Sequence, residues 1–460
     1  MRAKHVRSRR SRGSPKSGPL ARFDPVGWPV IALLALAFAF GGGGSRYGLL
    51  NLVPQLFALG LLVYFVADAT SHWRARPAVF KALVLATIAL PFVQLLPLPP
   101  SIWQALPGGD LSLAARELAG ADDRWFPISL DPQRTLIALA ALVPPLALVC
   151  LLPARQGAAQ MALRIIVAIG LANFLAGIFQ VLSGQNFLLP YPIWEKGRMY
   201  GFFASHNTCG LFFVISLCAL FGIHSDNVAT KTRDVAIVAV IAAILVLGTI
   251  LTQSRSSTAL LLLPLGAFAM RYVLERRRAG KPVNWPAFGV AAVVVIGLVA
   301  LALTNERILG TFVRFEDLDD QRPETWEDSL AALTAFLPIG AGIGSFDEVF
   351  QNFESLEHVT RTYARRAHND YLEIGIEAGL IGYALVAGWV LWAGAAWLKG
   401  RRCEEFREVD AAGLALLSIA AQSVLDYPLR NQAVLCLAAV FVAMLAARAT
   451  RLRDGVIEKD

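Results

Sequence analysis

The chain has 460 residues, 56% of them apolar and 17% charged, with a formal net charge of +8. The apolar excess excludes a disordered chain and an ordinary soluble domain. The positive charge does not point to nucleic acid. It gathers in MRAKHVRSRRSRGSPKSG, RARPAVFK, RYVLERRRAGKP, KGRRC and ARATRLR, each abutting an apolar run, the pattern of cytoplasmic anchoring under the positive-inside rule.

Apolar runs long enough to cross a bilayer as helices recur along the whole chain. They predict an all-α polytopic membrane protein with about twelve spans, at 27–43, 48–68, 79–98, 134–153, 160–182, 207–224, 235–252, 256–273, 286–304, 371–398, 410–426 and 431–448. The run 410–426 is the least apolar, because it contains Gln422 and Asp426. The N-terminal residues 1–26 read as a basic cytoplasmic tail followed by a retained signal-anchor helix, and 449–460 as a second cytoplasmic tail. With both tails inside, the basic loops fall inside. The acidic loop 99–133 and the longest loop, 305–370, fall outside. The order is then spans one to nine over 27–304, the outer loop, and spans ten to twelve over 371–448.

GGGGS at 41–45 reads as a tight external turn between two spans. Within the long loop, TWEDSLAALTAF (325–336) has Trp326, Leu330, Leu333 and Phe336 at helical spacing, and SFDEVFQNFESL (345–356) reads similarly. PIGAGIGSF (338–346) contains GxGxG but follows no strand of a βαβ unit, so it is a backbone turn and not a dinucleotide site. The five cysteines, Cys150, Cys209, Cys218, Cys403 and Cys436, show neither a disulfide framework nor CxxC metal spacing. No motif for a metal or a cofactor is present.

The polar groups with chemical potential gather on the outer side: Arg198 in EKGRMYGFFASHNTCG, Arg255 in LTQSRSSTAL, Arg322 in DDQRPETW, and His368-Asn369. Arginine between apolar runs is costly unless it snorkels or faces a polar cavity, and the second alternative describes an anion site. His368 precedes a helix N-terminus and follows Arg365 and Arg366. Both surroundings favour neutral imidazole, the form of a base. Asn369 either fixes its tautomer or caps the helix. Gly375, Gly379 and Gly382 are spaced for close helix packing.

Four of these motifs, in order, resemble the O-antigen ligase and polymerase superfamily: GRMYGFFASHNTCGLFF, SRSSTALLLLPLGAF, RPETWEDSLAALTAFLPIGAGIGSF, and His368-Asn369 followed by Gly379 and Gly382. They span about residues 195–385. The chain departs from the family pattern at Ala259, where leucine is usual, and at His206, where proline is frequent before Asn207. The resemblance implies a GT-C-type glycosyltransferase of the bacterial inner membrane with a periplasmic active site. Its donor would be a glycan on undecaprenyl diphosphate. Its acceptor would be lipid A–core for a ligase, or another lipid-linked glycan for a polymerase. By motif, Arg255 and Arg322 would hold the diphosphate, with Arg198, Asn207 and Asn369 lining the substrate site, and His368 would serve the acceptor.

This chemistry suits the residues. A diphosphate is already a competent leaving group and needs charge stabilisation, which arginines supply without a metal. One base opposite one leaving group suggests a single inverting displacement, whereas a glycosidase needs a carboxylate pair. A twelve-span transporter is the rival class, but two similar halves and a mid-membrane site are not visible in the sequence.

Overall fold

The computed structural model describes residues 27–453 apart from 45–46, 153–156, 194–195, 224–231, 279, 283–321, 360–363 and 402–405. The expected span 286–304 and the start of the long loop lie outside these residues.

The other apolar runs fold as helices. In chain order they are α1 (Gly27–Phe40), α2 (Gly48–Tyr64), α3 (Val66–Ala75), α4 (Ala78–Gln94), α5 (Pro100–Trp103), α6 (Gly109–Leu118), α7 (Pro132–Ala141), α8 (Val143–Leu151), α9 (Ala158–Leu182), α10 (His206–Gly222), α11 (Thr232–Leu251), α12 (Arg255–Leu260) and α13 (Leu262–Arg278). Beyond the undescribed stretch follow α14 (Arg322–Phe336), α15 (Phe346–Phe350), α16 (Asp370–Gly400), α17 (Phe406–Gln422) and α18 (Gln432–Arg453). A two-stranded antiparallel ladder pairs β1 (Pro97–Leu98) with β2 (Phe126–Pro127).

Among the described residues, five helical stretches are long and apolar enough to cross a membrane: Pro132–Leu151, Ala158–Leu182, Arg255–Arg278, Asp370–Gly400 and Gln432–Thr450. A sixth is the pair α2–α3 if its 85° bend lies within one span, and four further apolar helices are shorter. Large apolar side chains point outward from these helices, as at Leu49, Leu56, Val63, Leu262 and Leu391. Such surface suits lipid and not water. This is a polytopic, mostly helical membrane protein.

α10 forms the centre. Its sequence HNTCGLFFVISLCALFG is apolar on all sides, and every residue from Thr208 to Gly222 is buried, as expected of a helix surrounded by others. It packs against α9, α11 and α17. α17 stops at Gln422, short of the expected 426. The chain turns there because the Ser423 carbonyl accepts the Asp370 N–H at 2.9 Å.

The GGGGS turn is a packed joint. The Gly42 carbonyl accepts Ala204 N–H at 3.0 Å and the Asn431 amide at 2.7 Å, and a Cβ on Gly42 would collide with the Phe202 backbone. It thereby joins two segments that carry site residues.

A second, smaller core lies between α14, α15 and the start of α16, built on Ala332, Phe336, Phe346, Phe350 and Ile376. The expected helix at 325–336 is present and starts at Arg322. The segment 345–356 is helical only over Phe346–Phe350 and then turns. Gly379 does more than allow close helix packing. At φ +56 it leaves the helical region and kinks α16, so that the Leu380 N–H reaches the Pro338 carbonyl at 2.9 Å.

The turn after α15 is clipped back to α14 by charge. Asp328 accepts from Ser355 Oγ at 2.8 Å and lies 3.0 Å from His358 Nδ1. Burial alone would raise the Asp328 carboxyl, but its bonds to His358 and Ser355 outweigh that and hold it below its usual range. The same Asp328 contact raises His358 above 6.5. Because the histidine is raised in the folded state, its contribution is full below its unfolded value and fades as pH rises through the folded one. The protection factors of residues 351–358, their exchange relative to the unstructured rate at the same pH, should therefore be higher at about pH 6 than at about pH 9, and Asp328→Asn should remove that difference.

Candidate active site

The Arg198 loop is fixed by amide side chains. Gln180 on α9 donates to the Gly201 carbonyl at 2.6 Å and accepts the Gly201 N–H at 2.8 Å. Asn173, two turns earlier on the same face, accepts Phe202 N–H at 3.0 Å. Gln185 donates to the Arg198 carbonyl at 2.6 Å and accepts Gly197 N–H at 2.9 Å. Arg198 is thus buried on a rigid loop. Its Nη1 stands 2.6 Å from His206 Nε2 at the start of α10. A guanidinium can only donate, so Nε2 accepts and the His206 proton belongs on Nδ1.

α11 ends at a turn in which Gln253 takes a positive φ of 57°. Ser254 then caps α12 by accepting the Ser257 N–H at 3.3 Å. The Ser257 hydroxyl donates to the Asn207 carbonyl at 3.1 Å, tying α12 to the first turn of α10. Arg255, exposed, opens α12 beside that turn. Arg322 opens α14, and its charge acts on both His206 and Asp426. His206 also senses His368 and Asp426. Arg198, His206, Arg322, His368 and Asp426 therefore converge, although they come from five separate segments.

His368 has a positive φ of 50°, rare for a non-glycine residue. Its neighbours hold it there. Trp326 Nε1 donates to the Ala367 carbonyl at 2.7 Å, and Glu373 accepts the Ala367 N–H at 3.0 Å. Asn369 caps α16, its Oδ1 accepting the N–H groups of Tyr371 and Leu372 at 3.0 and 3.2 Å. His368 Nδ1 stands 3.3 Å from Asp426 Oδ1, close enough for an ion pair though not in good hydrogen-bond alignment. Nδ1 is shut off from solvent while the side chain is 40% exposed, which leaves the Nε2 edge open. The ring packs on Tyr427 at 4.9 Å between centroids. Burial alone would raise the Asp426 carboxyl, but the neighbouring His368 and Arg322 outweigh it and keep Asp426 below its usual value. An ionised Asp426 orients the imidazole with its proton on Nδ1, so that Nε2 can accept one.

An apolar groove of about 580 Å³ is lined by residues such as Ile88, Leu146, Trp389 and Val442, and also by Arg134, Arg366 and Arg430. It has the shape and lining for a lipid chain.

Sequence reasoning missed Asp426, the partner of His368. The available signal was polar residues inside an apolar run, which are costly there and so point to a site. His206 was visible only as a departure from a pattern, and its contact with Arg198 depends on the fold.

Helices of membrane length bring guanidinium groups together with a part-exposed imidazole, a set of groups chemically suited to binding an anion and moving a proton. Residues 238–387 match the family model described as O-antigen ligase. The match supports a membrane enzyme of the O-antigen ligase/polymerase type. The matched stretch contains Arg255, Arg322 and His368 but neither Arg198 nor Asp426. No curated protein matches the chain.

Proposed function

We propose that the protein is an inverting glycosyltransferase of the GT-C type that moves a glycan from undecaprenyl diphosphate to a sugar hydroxyl of lipid A–core. It acts at the periplasmic face of the bacterial inner membrane, with about twelve spans and both termini cytoplasmic. The observation that carries the reading is the His368–Asp426 pair, with Nδ1 shut off from solvent on a side chain that is 40% exposed and with the charge of Arg322 acting on Asp426.

The acceptor hydroxyl oxygen attacks the anomeric carbon of the donor sugar. Its proton passes to His368 Nε2 as the new C–O bond forms, and Asp426 balances the imidazolium. The bond from the anomeric carbon to the diphosphate oxygen breaks, and undecaprenyl diphosphate leaves with the electron pair. Arg322, Arg255 and Arg198 stabilise the charge that grows on it. Asn207 and Asn369 line the sugar path. The apolar groove favours a substrate carried on a lipid chain.

Proteoliposomes supplied with lipid-linked glycan, candidate acceptors and chelator test the proposal. Glycan appearing on lipid A–core would support the ligase. Chains lengthening on undecaprenyl diphosphate would instead make it a polymerase of O-antigen, capsule or exopolysaccharide with the same donor chemistry. Transfer that requires a proton gradient would favour a transporter.

A further inference from the structure

The first two turns of α16 carry a buried charge cluster that the transfer chemistry does not use. Asp370, Glu373 and Glu377 share one face of the helix and are 8%, 0% and 0% exposed. Arg430, on the 3₁₀ turn Pro428–Arg430, reaches Glu377 at 2.7 Å and both Asp370 and Glu373 at 3.5 Å. Arg366 reaches Glu373 at 2.9 Å. Within the cluster three carboxyl groups face two guanidiniums, so it does not present the net positive charge of an anion site. Burying so many charges is expensive, and well-packed apolar residues would hold two helices together at least as well. A role beyond packing is therefore needed.

The hydrogen bonds show what the cluster holds. Glu373 takes the N–H of Ala367, the residue before His368, at 3.0 Å. Asp370 takes the Ser423 hydroxyl at 2.9 Å and Leu429 N–H at 3.3 Å, on either side of Asp426 and Tyr427. The Asp370 N–H itself reaches the carbonyls of Ser423 and Asp426. Arg366 lies over the Tyr427 ring, 5.9 Å from its centroid, and Tyr427 packs on His368. The chain before His368 and the chain around Asp426 are thus bound to the same two helical turns.

We infer that Glu373, Glu377, Asp370, Arg366 and Arg430 form a charge clamp that sets the geometry of His368 against Asp426, and that they are positioning residues for glycan transfer. The inference rests on His368 being the base proposed above. A backbone in a sparsely populated conformation persists only where its surroundings over-determine it, and the clamp supplies that determination.

Glu373→Gln and Arg430→Lys test it in proteoliposomes carrying the full chain. Both should lower kcat by about 10- to 100-fold through misplacement of the base, with donor KM within about threefold of wild type. In an Asp426→Asn background, Glu373→Gln should add little, because both act through one imidazole. Should Glu373→Gln not fold, Arg430→Lys carries the same comparison. Wild-type kcat in both variants, or losses that simply multiply with that of Asp426→Asn, would overturn the clamp. A His368→Ala protein that transfers normally would instead overturn the proposed function, so the two failures are distinguishable.

Discussion

Replacing His368 with alanine is expected to lower glycan transfer by about 10²–10⁴-fold, the usual contribution of a general base, and to leave donor binding nearly unchanged. In the proposed reaction the acceptor is a sugar hydroxyl, a weak nucleophile whose proton must leave as the new bond forms. The open Nε2 edge is the accessible basic atom of the His368–Asp426 pair. The 3.3 Å separation and loose alignment do not count against the pair, because such contacts commonly tighten only once substrate is bound. Asp426 stays ionised despite its burial because the His368 imidazole and Arg322 stabilise its charge. The loss should fall on kcat, since in the proposed mechanism the ring acts on the acceptor proton and not on the diphosphate.

The second large effect is expected at Arg322. Arg322→Gln should lower transfer by about 10²–10³-fold, the range seen when one preorganised donor to a developing oxyanion is removed. It should also weaken donor binding. Arg322→Lys should recover only part of the activity, because an ammonium keeps the charge but loses the planar fork that grips a phosphate through two parallel hydrogen bonds. The side chain opens α14, and Trp326 on the same helix holds the Ala367 carbonyl. The helix therefore couples the cationic side of the pocket to the histidine. Steady-state transfer and equilibrium donor binding, measured on the same preparations, separate the two components.

Much of this was legible in the sequence. Hydropathy located helices such as α9, α11 and α16, because a lipid-facing or buried helix must be continuously apolar. Loose motifs in a fixed order picked out Arg255, Arg322 and His368 as site candidates, and all three lie within the stretch 238–387 that matches the family model. Other features depend on contacts between distant segments. Asp426 lies past the end of α17, and only the fold brings it to His368. The buried guanidinium of Arg430 has no local signature, since its three carboxylate partners sit on another helix. The role of Gly379 as a kink could not be separated from helix packing by spacing alone, because both need the same missing side chain. The glycines at 41–44 had the composition of a linker, yet Phe202 and Asn431 pack against Gly42 and make it a joint.

The proposed mechanism divides the labour, with arginines holding the diphosphate and His368 taking the acceptor proton. Single-turnover transfer and donor binding, measured together for wild type, His368→Ala and Arg322→Gln, test it most directly. His368→Ala should bind lipid-linked glycan as wild type does and fail to transfer it, while Arg322→Gln should be impaired in both. Transfer by His368→Ala at the wild-type rate would contradict that mechanism.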